Sequence, residues 1–194
     1  MRCHFSQLKR FTVFTCVLFV LGCSPKLLIK GTKKATDQAA VAIEKYDDPI
    51  LLGQALPNLL ITAEGYLGEV PDEVDLLVGT ATKYSKYASH DVEYVDKDHA
   101  IKLYRRRLEL GMRALKQNKK IAKPLRDGSL EPFLSAVRAL TKSDVPALYV
   151  TMSNWLPLIS LTSSDPEMLM GLPKVEAIMY KVLELDETYN HGAI

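Results

Sequence analysis

Thiols, imidazoles and paired carboxylates are the groups in this sequence whose types could do chemistry. Cys3, Cys16 and Cys23 each offer a sulfur that could act as a nucleophile or accept a covalent group. His90, His99 and His191 could ligate a metal, but none stands three or four residues from another, so no helix face pairs two imidazoles. Asp47-Asp48 and Asp72-Glu73 could share acid–base work. Both pairs fall at expected helix starts, where carboxylates complement the helix dipole. No G-x-S-x-G, G-x-x-x-x-G-K-[ST] or G-x-G-x-x-G occurs. The sequence reads as non-enzymatic, with no metal or other cofactor.

Aromatic side chains form a softer kind of candidate. Tyr84, Tyr87 and Tyr94 gather on one expected helix and the loop after it. Tyr149, Asn154 and Trp155 lie close together, and Tyr189 stands near the end of the chain. An apolar ring with a polar tip suits the wall of a channel for amphipathic ligands, or a docking surface. Core or boundary packing is the other use of such residues. It is the first expectation for Trp155, which falls beside an apolar stripe.

The cysteines resolve into a targeting segment. Arg2, Lys9 and Arg10 precede an apolar run of 12 residues, Phe11 to Gly22, with no acid among them. That is the pattern of a secretory signal, and the run is short of the roughly 20 residues that span a bilayer. It ends in Val20-Leu21-Gly22-Cys23, which resembles the bacterial lipobox, although a small residue is commoner where Leu21 stands. The resemblance implies cleavage after Gly22 and acylation of Cys23, which would become the membrane anchor. An ordinary signal peptide with a chance cysteine is the alternative. Two acyl chains hold a protein stably where one does not. Ser24 favours sorting to the outer membrane, since Asp there is the usual retention signal. The mature chain then keeps one thiol, already acylated, which leaves neither a disulfide scaffold nor a cysteine nucleophile.

The whole chain of 194 residues carries a formal charge of +2. Three basic residues belong to the leader, so the remainder is near −1 and gives no electrostatic case for nucleic acid. Basic residues do cluster at Arg105-Arg106-Arg107 and at Lys116, Lys119, Lys120 and Lys123. Solvated helix face or loop is the plain reading of both clusters, and an anionic-lipid or partner patch is the other.

The elements that must position these groups read as helices throughout. Residues 33–45 are rich in Ala, Gln, Glu and Lys. Leu52, Leu56, Leu59, Leu60, Ala63 and Leu67 follow at helical spacing, with Pro57 expected to kink this helix or open a new one. A second series, Val74, Leu77, Val78, Ala81, Tyr84 and Ala88, begins after Pro71-Asp72-Glu73. A third, Ile101, Tyr104, Leu108, Met112 and Leu115, takes Asp98 as its N-cap. Lys119 to Asp127 reads as a polar loop, and Ser129 caps a shorter helix with Leu130, Phe133, Leu134, Val137 and Leu140 inward. Val145 to Leu161 is the most apolar stretch after the leader and is broken by Pro157. The last helix turns Leu172, Val175, Ile178, Met179, Val182 and Leu183 to one face, with Lys181 mostly off it. No segment alternates with period two for long, so the expectation is all-α, with about seven helices of 10–20 residues paired as antiparallel hairpins.

A repeat check gives one partial hit. Val182-Leu183-Glu184-Leu185-Asp186-Glu187 resembles the tail of a tetratricopeptide repeat, with Glu187 in place of its proline. A generic helical hairpin is the alternative. Val145-Pro146-Ala147-Leu148-Tyr149 then precedes Asn154-Trp155. Leu172-Pro173-Lys174-Val175-Glu176 opens a helix running into Leu185-Asp186-Glu187-Thr188-Tyr189 and Gly192. Behind a lipobox, this succession resembles the T component (TatT) of tripartite ATP-independent periplasmic (TRAP) transporter systems.

The resemblance implies a periplasmic lipoprotein of degenerate, stacked tetratricopeptide-like hairpins. It implies a homotrimer that binds the solute-binding P component and carries a hydrophobic channel for an apolar or organic-acid ligand. The expected division is a signal peptide over 1–22, a lipidated tether over 23–32 and the helical domain over 33–194. In the family further helices follow the Asp-Glu-x-Tyr segment, so a C-terminally incomplete chain is expected. A general scaffold for envelope complexes with no small ligand, and a stand-alone carrier of hydrophobic ligands, are the competing expectations.

Overall fold

The computed structural model describes residues 48–88 and 95–192, with positions 29, 34, 38 and 41 in isolation. Gly22, Cys23, the tether apart from Ile29, the bulk of the helix expected over 33–45, His90 and Tyr94 lie outside the described residues. Residues 46–194 form a compact unit. Every regular element described in it is helical.

Helix α1 spans Pro49–Glu69. The Asp48 carboxylate accepts the N–H groups of Ile50 and Leu51 at 3.0 and 3.1 Å. Pro49 fills the first position, where an N–H would have no partner. Pro57 does not open a second helix; the helix runs through it. Leu56, Leu60, Ala63 and Leu67 are buried on one stripe that crosses Pro57. Burying each leucine is worth roughly 1.5–3 kcal/mol, which outweighs the hydrogen bond the proline cannot make.

Helix α2, Val74–Tyr87, starts where the Glu73 carboxylate caps the Leu76 N–H at 2.7 Å. Helix α3, Lys97–Lys116, is capped by Asp96 rather than Asp98, because the chain turns helical at Lys97 and Asp96 is still extended. Asp96 accepts the His99 N–H at 2.9 Å. The buried stripe of α3 is also rotated from its expected place. Ala100, Leu103, Tyr104, Arg107, Leu110, Gly111 and Ala114 face inward, while Ile101, Leu108 and Met112 sit at its edge.

Lys119–Asp127 is a helix, α4, and not a loop. Asn118 accepts the Lys120 N–H at 2.9 Å, Ile121 is fully buried, and Gly128 closes the helix at φ 75°, a left-handed conformation that favours glycine. Helix α5, Leu130–Arg138, follows, with Phe133, Ala136 and Val137 inward and Leu140 buried just past its end; Leu130, expected inward, is exposed at the first helical position, ahead of Phe133, where burial begins. Ser129 stands at its N-cap without a side-chain hydrogen bond. A 3-10 turn at Lys142–Asp144 leads into α6, Val145–Leu161, which again passes unbroken through its proline, Pro157. A single turn, α7 (Pro166–Leu169), links α6 to α8, Leu172–Asp186. On α8, Val175, Ile178, Lys181 and Val182 are buried, whereas Leu172 and Leu183 are exposed. The helices range from 4 to 21 residues, a wider spread than the sequence suggested.

α6 is the centre of the domain. It packs on α3 along one side and α8 along another, which is why it is apolar nearly all round. α2 packs on α3, and α1 on α2. The α4–α5 pair is interposed in the chain between α3 and α6, which pack directly on each other. Lys174 of α8 bonds the Gly128 carbonyl at 2.7 Å and lies 5.6 Å from the Phe133 ring centroid, fixing α8 beside α5.

Candidate functional site

The strongest concentration of buried polar chemistry lies where α2, α3 and α6 meet. α2 supplies Ser85, α3 supplies Arg107, and α6 supplies Asn154. Arg107 is only 4% exposed and Asn154 is fully buried. An Arg107 Nη2 proton goes to the Ser85 hydroxyl oxygen. That hydroxyl lies 3.4 Å from both the Asn154 Oδ1 and the Ala81 carbonyl oxygen. Asn154 uses its own amide to donate to the Val150 carbonyl. The guanidinium carbon stands 4.5 Å from the Tyr104 ring centroid, within cation–π range.

One turn along α3, Gly111 lets the helices come this close. A Cβ there would sit 2.7 Å from the Thr151 Oγ1 and 3.0 Å from its Cα. Arginine is charged at any physiological pH, and burying a charge costs several kcal/mol unless it is met by hydrogen bonds. The knot therefore fixes a positive charge inside the bundle, with aromatic and apolar surface around it.

A second network borders the first. Arg106, the neighbour of Arg107, points toward α1 and bonds Glu64 with its Nε at 2.8 Å; Tyr84 donates its hydroxyl proton to the same carboxylate at 3.0 Å. Burial pushes the Glu64 carboxyl up, but the hydrogen bonds from Arg106 and Tyr84 outweigh it and hold the carboxyl below its ordinary range. Burial and the adjacent carboxylate push the Tyr84 phenol up.

The six residues singled out in the sequence fall in three places. Asn154 is part of the knot, while Tyr84 and Tyr87 pack against the adjoining apolar cluster of Ala88, Ala100, Leu103, Tyr104 and Leu158, with Tyr87 edge-on to His99 at 6.4 Å between ring centroids. Trp155 is buried and lies against Gly171, where an added Cβ would come within 2.8 Å of the indole. Its Nε1 makes no hydrogen bond among the described residues. Tyr149 and Tyr189 meet elsewhere, at a ring separation of 5.2 Å, and Asn190 donates to the Tyr149 oxygen at 2.6 Å. Tyr189 is followed by Asn190, His191 and Gly192 at φ 51°, 60° and 71°, three left-handed residues in succession. A groove of about 210 Å³ between α5 and α8 ends on Arg138 and Lys181, and none of the six lines it.

Sequence reasoning passed over Ser85, and it placed Arg107 with Arg105 and Arg106 on a solvated helix face, whereas Arg107 is buried because α2 and α6 close over it. The signal for Arg107 was present: it steps by four from Leu103 and by three to Leu110, so a cation occupies a slot in an apolar stripe.

The sequence model for the TRAP transporter T-component covers residues 45–194. The chain belongs to that family. A T component is an accessory of a TRAP transport system. No curated protein matches the chain. Among the described residues no group of three His, Cys, Asp or Glu could hold a metal, and no helix is long and apolar enough to cross a membrane. The T-component match spans all of α1 to α8, including the knot and the Tyr149–Tyr189 pair.

Proposed function

We propose that this chain is a membrane-tethered accessory protein that docks the periplasmic solute-binding protein of a TRAP-type transport system. The family match over residues 45–194 carries the reading. In it, residues 1–22 are a signal peptide cleaved behind Gly22, and acylation of Cys23 holds residues 33–194 at the membrane through the 23–32 tether. The domain faces the periplasm, from the outer membrane where Ser24 follows the common sorting rule. The working form is a homotrimer.

The proposed ligand is an organic acid with an apolar body. The buried Arg107 charge suits its carboxylate, and Tyr84, Tyr87 and Asn154 border the same place. Tyr149 and Tyr189 form an aromatic pair suited to partner docking. Trp155 would meet a ligand only from inside the domain.

Two measurements test this. Full-length protein solubilised in mild detergent is used as bait against a periplasmic extract, with partners identified by mass spectrometry. A solute-binding protein as the main partner is expected. Envelope-assembly proteins in its place would replace the reading with a general scaffold. Radiolabelled palmitate fed to cells is expected to enter the wild-type protein and not Cys23→Ser, and equal labelling of the two, or none of either, would sink the lipid anchor.

A further inference from the structure

The sequence clusters its cations twice, and the fold treats the two clusters in opposite ways. Arg106 and Arg107 turn inward to Glu64 and Ser85. The second cluster stays in water. Arg113, Lys116, Lys119, Lys120, Lys123 and Arg126 follow one another with no acid between them. Arg113 is tied to the Pro71 carbonyl, and Lys120 to the Ala139 carbonyl at 3.0 Å. Lys116, Lys119 and Lys123 are exposed and make no ion pair with a described residue. Lys119, Lys123 and Arg126 step by four and three, so they share one face of α4, opposite the buried Ile121. Arg126 has 73% of its side chain exposed, and the bordering acid, Asp127, is a loose partner at 3.5 Å.

We propose that this face of α4, together with Lys116, rests on an anionic phospholipid surface and sets which side of the domain faces the membrane. It rests on the tether proposed above in one respect only: the tether brings the face within reach. The chemistry of the face selects lipid over protein. Protein interfaces rely on a central aromatic, Met or Arg anchor in a desolvated pocket and are depleted in lysine. Here lysines dominate, and the apolar residues of α4 are turned to the core or half-buried. A charged bilayer needs no such anchor. Each Lys or Arg near it strengthens binding by about fivefold, and the attraction fades within a Debye length of about 8–10 Å.

The test uses the full-length chain carrying Cys23→Ser, so that no acyl chain holds it. It is sedimented with vesicles of pure phosphatidylcholine, or of three parts phosphatidylcholine to one of phosphatidylglycerol, at low and at high salt. Because a retained leader would bring Arg2, Lys9 and Arg10 to the anionic vesicles, Arg2→Gln/Lys9→Gln/Arg10→Gln is combined with Cys23→Ser, which leaves an uncharged apolar leader that binds both vesicles alike. The expected result is binding to the anionic vesicles tighter by on the order of a hundredfold, reversed by salt. It should vanish in Lys119→Glu/Lys123→Glu/Arg126→Glu whose circular dichroism is unchanged. Where that variant does not fold, Lys119→Gln/Lys123→Gln/Arg126→Gln reads the same loss. Equal binding to both vesicles overturns the proposal, and so does anionic binding that survives the substitutions. Loss of a bound periplasmic protein with vesicle binding intact overturns it in favour of a protein docking face. Capture of a solute-binding protein is read separately, so failure here leaves the transport reading standing.

Discussion

At Gly111 the backbone of α3 lies so near α6 that a methyl group would overlap the Thr151 backbone. Alanine normally stabilises a helix interior by about 1 kcal/mol over glycine. Here Gly111→Ala should instead destabilise by about 1–3 kcal/mol in urea unfolding, because the two helices must part. Gly65 is the control: it too lies inside a helix, with nothing described within 4 Å of its added Cβ, and Gly65→Ala should stabilise by about 0.5–1 kcal/mol. Beside Gly111, Ser85→Ala removes a hydroxyl acceptor from the buried Arg107 and should cost about 1–3 kcal/mol. Glu64 sets a pH dependence. Its carboxyl is held below its ordinary 4.5, so the folded state binds that proton less readily than the unfolded chain. Its contribution is therefore complete above that value and drains away as pH falls through the lower folded one. Glu64→Gln should lose stability at neutral pH and show a flatter acid limb below about pH 4.5 in thermal melts.

Among the elements, α4 depends on its two ends. Asn118 caps Lys120 and also donates to the Asp144 carboxylate at 2.8 Å, joining the start of α4 to the turn before α6. Asn118→Ala should cost about 0.5–2 kcal/mol. Hydrogen exchange should quicken in α4 and α5 before it does in α3 or α6. Helices with one long apolar stripe were legible in the sequence: Leu56 to Leu67 in α1, and Leu77, Ala81 and Ala88 from α2 into its C-cap. Prolines misled, since Pro57 and Pro157 sit inside continuous helices whose buried residues continue past them. α4 was hidden because its polar composition and Pro124 resemble a loop, and a single buried side chain, Ile121, defines its inner face. The knot was hidden for a different reason. An arginine triplet reads as solvated surface, and the direction each one takes depends on which helix the fold brings alongside.

On the scale of the whole molecule, the T-component family and the all-α class were both legible in the sequence, from residues 145–192 and from the absence of alternating segments. Short turns suggested antiparallel hairpins, and α1–α2, α2–α3 and α4–α5 do pack as chain neighbours; the pairing of α3 with α6, across the α4–α5 pair in the chain, was not legible. The six aromatic and amide candidates consequently separate into three regions rather than lining one.

That detour bears on how the chain reaches its folded form. Helical proteins whose contacts join sequence neighbours fold in microseconds to milliseconds. Here the central pair forms only after the segment between Lys116 and Val145 has closed on itself. A chain that has emerged no further than α5 would hold the buried face of α3, with Leu103 and Gly111 on it, without the helix it packs on most, α6. The domain thus becomes self-sufficient late in its own emergence, when α6 arrives, and the interval before that is when a chaperone or a neighbouring chain has most to seize.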